Sequence, residues 1–411
     1  MQLTLVAAFA EAIGALVPPD QPLGVAVSGG GDSLALLHLL HACGYRPAVA
    51  TVDHGLRPES AAEAQLAAVQ CRSLGLSHTT LRWHGWTGHG NLQAHARDAR
   101  RQLLADWAKA AGVAHIALGH TLDDQAETVL LRLARGAGVD GLSGMAISSR
   151  ANGIWWLRPL LGVRREDLRN YLRLRGIVWA EDPSNTDTRF ERVRIRAALN
   201  ALEPLGITPR GLAASAERLA EARTALDAQA DELARQIVTV DHGDLVIDRA
   251  ALLRLPVELR RRLLVRALQW VAPAAYPPRA SAVQAALRAV EARKRHTVHG
   301  CLLGAGQRLR ICREPAAVAG LCCTPNSLWD GRWRLEGPVR PGVMLRALGE
   351  AGLAQLDSGI RPLVPRASLL ASPAVWEGDR LIAAPLANDG SGWQARLVPP
   401  CDSFGFGCLS H

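Results

Sequence analysis

The chain is poor in several features that mark common protein classes. Its 411 residues include only two lysines, Lys109 and Lys294, and no apolar run long enough to cross a membrane. Its eight cysteines include no Cys-x-x-Cys pair, which argues against structural zinc and against a disulfide scaffold. The apolar start lacks a basic region and is interrupted by Glu11, which favours an amphipathic helix over a signal peptide. We therefore expect a globular protein of the reducing cytoplasm, with no membrane partner.

Arginine and alanine are abundant instead. The formal net charge of +9 suits a polyanionic partner, although an arginine-rich solvated surface produces the same charge. A hydrophobic content of 48% over 411 residues is enough for cores in two or three domains. Charge alone identifies no partner.

Short apolar runs alternate with helical patterns in the first part of the chain. Strands are predicted at 23–27, 47–53, 78–82, 114–119 and 155–160, and helices near 32–42, 59–74, 91–112, 121–135 and 164–175. This alternation predicts an α/β fold with a doubly wound parallel sheet, in which ligands bind beyond the carboxyl ends of the strands.

The pattern changes after Pro204 and Pro209. Long helices are predicted at 210–237, 256–271 and 279–294, followed by a hairpin over 298–311. Helical periodicity then fades while glycine, proline and tryptophan increase. We predict a catalytic domain over 1–205, a helical domain over 206–315 and a small β-rich C-terminal domain over 316–411.

The most informative segment is Ser28-Gly29-Gly30-Gly31-Asp32-Ser33, between the first strand and its helix. It is not a Walker loop, because no lysine follows the glycines, and the glycines are too close together for a dinucleotide fingerprint. Glycine amides before a helix N-terminus favour an anion, and we predict the pyrophosphate of ATP. Asp32 is a candidate Mg²⁺ ligand and also a possible helix N-cap, two compatible roles.

A second polar segment, Gly119-His120-Thr121-Leu122-Asp123-Asp124-Gln125-Ala126-Glu127-Thr128, follows the fourth predicted strand. Thr121 or Asp123 can cap the helix, and Asp124 and Glu127 share one helical face. Two carboxylates on one face repel each other unless a cation lies between them. They indicate either a site for a cation or a capping box with ordinary acids at a helix start.

Three more residues are candidates on weaker grounds. Asp53 and His54 close the second strand and can contact the nucleotide, although His54 fits a structural role equally well. Arg97 lies three residues before Arg100 on a predicted helix, where a solvated face is the alternative.

Together these segments resemble the tRNA(Ile)-lysidine synthetase family of the PP-loop, or N-type ATP pyrophosphatase, superfamily, whose fold is adenine nucleotide alpha-hydrolase-like. The matching segments run in order from the glycine loop through 52–60, 119–128, 131–138, 141–145, 158–161, 181–187 and Arg192-Val193-Arg194-Ile195-Arg196. Val193 departs from the asparagine that is usual in the last segment.

The resemblance implies a specific reaction. With ATP and Mg²⁺ the enzyme adenylates the wobble cytidine of an isoleucine tRNA with the anticodon CAU, and free L-lysine then displaces AMP to give lysidine. The tRNA thereby changes its codon from AUG to AUA. The resemblance makes Asp32, Asp124 and Glu127 the essential residues, and we place His120 and Arg97 near lysine or the target base.

Basic residues outside this site are candidates for tRNA phosphate contacts, namely Arg192, Arg194, Arg260, Arg261, Arg262, Arg293, Lys294 and Arg295. Solvated arginine faces are the alternative for two groups of these residues, the first being Arg260, Arg261 and Arg262 and the second Arg293, Lys294 and Arg295. We expect a monomer or a homodimer. A PP-loop tRNA thiolase and a catalytically silent tRNA-binding module are the competing functions.

Overall fold

A computed structural model describes residues 2–55, 59–83, 92–181, 189, 191–274 and 276–398. The chain forms two compact units that divide between Thr224 and Ala225, inside one long helix. The domain boundaries near 205 and 315 stay predictions. Within the described ranges, no helix has the length and apolar character needed to cross a bilayer.

The first unit alternates helices with six strands. Its helices are α1 (Gln2–Gly14), α2 (Gly31–Ala42), α3 (Glu59–Ser73), α4 (Leu92–Ala110), α5 (Leu122–Ala134), α6 (Val139–Leu142), α7 (Arg165–Arg173), α8 (Glu191–Leu202) and the start of α9 (Pro209–Ile237). Its strands are β1 (Leu23–Ala26), β2 (Ala48–Asp53), β3 (His78–Arg82), β4 (His115–Leu118), β5 (Ser148–Ala151) and β6 (Ile154–Leu157).

These strands form one sheet in the order β3-β2-β1-β4-β6-β5. All neighbours are parallel except β5 and β6, so the predicted parallel sheet is confirmed, and an antiparallel edge strand adds to it. The strand order reverses between β1 and β4, which places a topological switch point there. The glycine loop follows β1, and the segment from Gly119 follows β4, so both lie at this switch point.

Burial of β1 and α2 explains why the glycine loop between them is held in place. All four residues of β1 are buried, and the leucines of α2 from Leu34 to Leu40 have no exposed surface. A strand and a helix buried in this way read as continuous apolar runs, which is why the sequence locates them within one or two residues. The loop between them is therefore held at both ends by the core.

The second unit is built from sheets as well as helices. Its helices are the remainder of α9, α10 (Arg249–Arg254), α11 (Val257–Val271), α12 (Ala280–Glu291), α13 (Pro315–Val318), α14 (Gly349–Leu353) and α15 (Arg366–Leu370). Its strands are β7 (Val238–Asp241), β8 (Asp244–Asp248), β9 (His296–Val298), β10 (Cys301–Leu303), β11 (Arg308–Arg313), β12 (Cys322–Cys323), β13 (Trp333–Glu336), β14 (Val343–Ala347), β15 (Pro373–Glu377), β16 (Arg380–Ala383) and β17 (Gln394–Leu397).

The predicted helical segment also contains an antiparallel sheet in the order β7-β8-β11-β10-β9. Its β10–β11 hairpin is confirmed, but the sequence does not predict β7 and β8, because 238–248 is short and follows a 29-residue helix without a clear break. The β-rich C-terminal segment is confirmed as a four-stranded and a two-stranded sheet. Buried Arg332 ties it to the preceding helices, since it donates to the Val271 carbonyl at 2.6 Å and lies over Trp270.

Gly29 has a backbone conformation that other residues rarely adopt. Its φ is +81°, and a Cβ atom there would lie 2.8 Å from the Glu63 carbonyl oxygen. Gly30 has a φ of −75°, and the atom nearest to a Cβ at this position would be the Ser28 hydroxyl oxygen, at 3.5 Å. The first glycine is therefore required by the fold, whereas the second has room for a methyl group.

We expect Gly29→Ala to lower the free energy of unfolding by about 2 kcal/mol, because it adds left-handed strain and a clash with backbone. Gly30→Ala is the matched control and should leave the melting temperature close to that of the parent protein. Equal melting temperatures for the two variants, measured by calorimetry, would contradict this account of the loop.

Candidate active site

The glycine loop is held in place by its two serines. The Ser28 N–H donates to the Ser33 hydroxyl at 3.1 Å, and that hydroxyl donates to the Gly30 carbonyl at 2.9 Å. Gly30 is the N-cap of α2 and makes no side-chain cap bond, so the alternative role of Asp32 as N-cap is wrong. Asp32 instead lies in the first turn of α2, where the helix dipole favours a negative group.

The second loop meets the first through a close approach at Gly119. A Cβ atom on this residue would lie 3.0 Å from the Asp32 carbonyl oxygen and from the Ser33 Cα. Any larger side chain would therefore push the start of α5 away from the start of α2. This contact brings the two helix N-termini, and the acids on them, to one place.

The start of α5 carries the predicted capping box. Asp124 Oδ2 accepts from the Thr121 N–H at 2.9 Å and from the Thr121 hydroxyl at 2.8 Å, while the Asp124 N–H donates back to that hydroxyl. Only one carboxylate oxygen of Asp124 is used in this way. Asp124 can therefore cap α5 through Oδ2 while its other oxygen binds a cation.

A third helix N-terminus, that of α7, completes the arrangement. Asp123 Oδ2 accepts from the Arg165 backbone N–H at 2.7 Å, so an acid of α5 satisfies the first turn of α7. Arg164 also pairs with Asp123, with Nε 3.2 Å from Oδ1. Asp123 thus fixes the angle at which α7 presents its first side chains.

Arg165 brings together the three acids singled out by the sequence. Its Nε lies 2.9 Å from Asp32 Oδ2, its Nη2 lies 2.8 Å from Asp124 Oδ1, and its Nη1 lies 3.3 Å from Glu127 Oε1. The guanidinium group is largely buried, with 18% of the side chain exposed. Three negative groups near one another are stable here because one cation lies between them.

Glu127 is the most buried member of the cluster, with 1% of its side chain exposed. Its Oε1 accepts a second bond from Arg196 Nε at 2.6 Å. Its Oε2 is also buried, yet it has no hydrogen-bond partner among the described residues. An unpaired buried carboxylate oxygen costs about 1–3 kcal/mol or more, which indicates a place for a ligand that donates.

Burial and charge shift the acids of this cluster in different directions. Burial raises the pKa of Asp32 above its usual value, although Arg165 opposes the shift. Burial acts in the same way on Asp124, but Arg165 and the donors of Thr121 outweigh it and hold that pKa below its usual value. Asp124 therefore stays ionised to lower pH than Asp32 does.

His120 lies at the start of the second loop and is uncharged at neutral pH. Burial lowers the pKa of His120 to about 4, against the opposing attraction of Asp124. Its ring is half-buried, and Nδ1 has no hydrogen-bond partner within the described ranges. At neutral pH the ring is uncharged and adds no repulsion toward a cationic ligand.

Asp32 fits Mg²⁺ as a single carboxylate ligand. Its Oδ2 binds Arg165, and its side chain is 25% exposed at the helix start that faces the glycine loop. No group of three or more His, Cys, Asp or Glu side chains in the described part of the chain is arranged to hold a metal. A single carboxylate ligand fits Mg²⁺, because this ion takes most of its ligands from phosphate and water.

Other candidates for the nucleotide and the target base lie around this centre. Asp53 binds its own loop, because its Oδ1 accepts from the Gly55 N–H at 2.9 Å and from the Ser60 hydroxyl at 2.6 Å. His54 packs edge-on against Trp83, and Arg97 is exposed on α4. Their predicted ligand contacts stay predictions. Residues 56–58 and 182–187 of the family-like segments lie outside the described residues.

The predicted tRNA-binding arginines differ strongly in their surroundings. Arg262 is buried against Asp227 and Glu258, and Arg261 also pairs with Glu258. Arg260 binds Glu291 at 3.0 Å. Arg262 is thus held in a buried ion pair, whereas the ion pairs of Arg260 and Arg261 are partly exposed.

The other basic groups are more accessible. The turn formed by Arg293, Lys294 and Arg295 is exposed, and no carboxylate among the described residues forms an ion pair with it. Arg194 is exposed on α8, and Arg192 is half-buried there. The turn of Arg293, Lys294 and Arg295 is therefore better placed than the two arginines of α8 to contact a polyanion.

Sequence reasoning assigns no role to Arg165 or Arg196. Arg164 and Arg165 begin a helix, where the dipole disfavours cations, so two arginines at this position indicate acidic partners. The sequence therefore contains a signal for Arg165. No local pattern of this kind indicates a partner for Arg196. Its partner Glu127 lies 69 residues earlier in the chain, and only the fold brings the two together.

Comparisons with known proteins identify the family to which the chain is similar. A family described as a PP-loop domain matches residues 2–203. A tRNA(Ile)-lysidine synthase of Ruegeria pomeroyi is 50% identical over 398 residues, or 96% of this chain and 95% of that protein. Another, of Mesorhizobium japonicum, is 39% identical over 386 residues, or 88% of this chain and 83% of that protein.

Solved structures are more distant. The U34-tRNA thiolase NcsA of Methanococcus maripaludis is 18% identical, with a TM-score of 0.47 over 53% of this chain and 78% of that one. The NH3-dependent NAD synthetase of Campylobacter jejuni is 15% identical, with a TM-score of 0.33 over 55% of this chain and 95% of that one. Neither similarity bears on function.

We expect His120 to contribute a pH-dependent part of the stability. Its folded pKa of about 4 lies below the unfolded value, so its contribution is fully present above about pH 6.5 and declines as the pH falls toward 4. His120→Gln should therefore reduce the loss of unfolding free energy across that range by up to about 3 kcal/mol. Urea denaturation of both proteins from neutral pH downward measures the difference, and parallel curves would contradict the prediction.

Proposed function

The chain belongs to the tRNA(Ile)-lysidine synthase family, and on that basis we propose that it joins the ε-amino group of free L-lysine to the wobble cytidine of an isoleucine tRNA with the anticodon CAU. One observation carries the proposal beyond the family. Glu127 is a buried carboxylate whose Oε2 has no hydrogen-bond partner among the described residues, and it is linked through Arg165 to the glycine loop. A site for an amine therefore adjoins a site for phosphate.

The first step is adenylation of the base. The backbone N–H groups of 29–33 and the hydroxyl of Ser28 hold the phosphates, and Asp32 is the residue that would hold Mg²⁺. When bound, Mg²⁺ neutralises charge on the phosphate oxygens. The ring carbonyl oxygen of the cytidine forms a bond to the α-phosphorus, and the bond from that phosphorus to the bridging oxygen breaks to release pyrophosphate.

The second step is attack by lysine. Asp124 and Glu127 bind the ε-ammonium group, and a carboxylate oxygen accepts its proton so that a neutral amine can react. The nitrogen forms a bond to the ring carbon, and the bond from that carbon to the oxygen breaks, so AMP leaves with the oxygen. Because His120 is uncharged at neutral pH, it does not repel the incoming ammonium group.

The competing functions have less support. A thiolase needs a reactive thiolate, but burial raises the pKa of Cys71 to about 11 and also raises that of Cys43. A silent tRNA-binding module would have no need for three acids, two of them buried, around one arginine beside a phosphate loop. All six described cysteines are free thiols, which suits the cytoplasm that we propose as the location.

We expect Asp124→Asn and Glu127→Gln to lower lysine incorporation by about 10²-fold or more, because a neutral amide cannot balance an ammonium group or accept its proton. The adenylated tRNA should accumulate in both variants. Labelled lysine measures the second step, and pyrophosphate release measures the first.

Glu166→Gln is the matched control, since Glu166 is an exposed acid on α7 next to Arg165. It should incorporate lysine at the parent rate. Unchanged turnover in Asp124→Asn or Glu127→Gln removes that residue from the mechanism. Equal labelling of an initiator tRNA breaks the proposed tRNA specificity.

The two basic groups of the second unit predict different effects on tRNA binding. Lys294→Ala with Arg295→Ala should weaken binding and reduce the slope of log affinity against log salt by about 2, because two exposed phosphate contacts are lost. Arg261→Gln should leave both quantities unchanged, because that side chain is already paired with Glu258. Filter binding over a salt series decides between them, and an equal loss in both variants would contradict the assignment.

A further inference from the structure

Arg165 uses three carboxylates that the reaction needs for other partners. Asp32 is the carboxylate for the metal–nucleotide complex, and Asp124 and Glu127 are the carboxylates for the lysine ammonium group. In the structure the same guanidinium group contacts all three, at 2.8 to 3.3 Å. The phosphate site and the amine site are therefore not independent.

A count of charges shows where the conflict arises. Asp32, Asp124 and Glu127 form ion pairs with two cations, Arg165 and Arg196, and Arg169 acts on Asp32 from further away. Once Asp32 is bound to a divalent cation, the other two acids are already matched by the two arginines. An arriving ammonium group would then share these two carboxylates with both arginines, while the phosphate groups of the nucleotide bring new negative charge to which one arginine can move.

The contact geometry indicates which arginine leaves. Arg196 Nε is 2.6 Å from Glu127, whereas Arg165 Nη1 is 3.3 Å from the same oxygen. Arg165 also depends on Asp32 through Nε, and that contact is lost when Asp32 binds a metal. At Glu127, Arg165 is thus the more weakly held of the two cations, and once nucleotide is bound its remaining short contact is the one with Asp124 at 2.8 Å.

The displaced guanidinium group has an acceptor nearby. Its Nε end lies at Asp32, in the first turn of α2, directly after the glycine loop. Phosphate oxygens bound in that loop are suitable partners for a planar guanidinium group, which binds phosphate in a bidentate manner. Movement of one side chain then exchanges carboxylate partners for phosphate partners.

We propose that Arg165 is a displaceable internal cation that couples the two substrate sites: it occupies the ammonium position until Asp32 binds the metal–nucleotide complex, and then gives that position to lysine. This inference rests on the proposed function. It makes Arg165 a positioning residue that favours lysine binding after ATP binding. By linkage, lysine strengthens nucleotide binding by the same factor.

Calorimetric titration of lysine, with and without magnesium α,β-methylene-ATP, tests the coupling without any turnover. The parent protein should bind lysine about tenfold more tightly when the nucleotide is present. Arg165→Gln should bind lysine about tenfold more tightly than the parent protein without nucleotide, because no guanidinium group competes. Its response to the nucleotide should disappear or change sign.

Arg164→Gln is the matched control, because Arg164 precedes Arg165 and pairs with Asp123, outside the group of three acids. It should reproduce the parent affinities within about twofold. A merely structural role for Arg165 predicts the opposite result for Arg165→Gln, since a damaged site binds lysine more weakly in both conditions.

Arg165→Lys covers the case in which Arg165→Gln does not fold, as judged by its melting temperature. One ammonium group cannot reach all three acids, so this variant should also bind lysine more tightly without nucleotide. Weaker lysine binding in a folded variant, or an unchanged nucleotide effect, overturns the coupling. A parent protein that ligates lysine but shows equal affinity with and without nucleotide overturns the coupling alone, whereas one that never binds lysine overturns the proposed function as well.

Discussion

One arginine shared among three carboxylates is the interaction on which this site depends. The acids lie on two different helices, α2 and α5, and the arginine lies on a third, α7. Without a central cation, the three negative groups would repel one another, and the two buried ones, Asp124 and Glu127, would be costly to remove from water. The guanidinium group makes the arrangement stable because its planar fork reaches all three acids at once.

The fold prepares this contact by placing three helix N-termini together. The switch point between β1 and β4 fixes the first two, and the lack of a side chain at Gly119 lets them approach to van der Waals distance. Asp123 then caps the third through the Arg165 N–H. Partial positive charge from these N-termini favours anions, so the same place suits both the acids and a phosphate group.

Glu127 is the acid of this site whose hydrogen bonding the described residues leave incomplete. Two arginines bind the other oxygen, and the described residues leave Oε2 without a donor. A buried acceptor that lacks a partner is destabilising, and it gains most from a ligand that donates a hydrogen bond. Glu127 Oε2 therefore affects both the stability of the site and its preference for a ligand that donates a hydrogen bond.

The sequence by itself determined the parallel α/β sheet, the phosphate loop and the acids at the strand ends. Those features follow from local patterns, because buried strands are continuous apolar runs and glycines mark a close approach of backbone. The three-dimensional fold alone decided which cation meets which acid. Arg165 and Asp32 are 133 residues apart in the chain but in contact, while Arg262 is buried in an ion pair instead of lying on a phosphate-binding surface. Periodicity and composition report which residues are present and on which face they lie, but ion pairing depends on distances that exist only after the elements have packed.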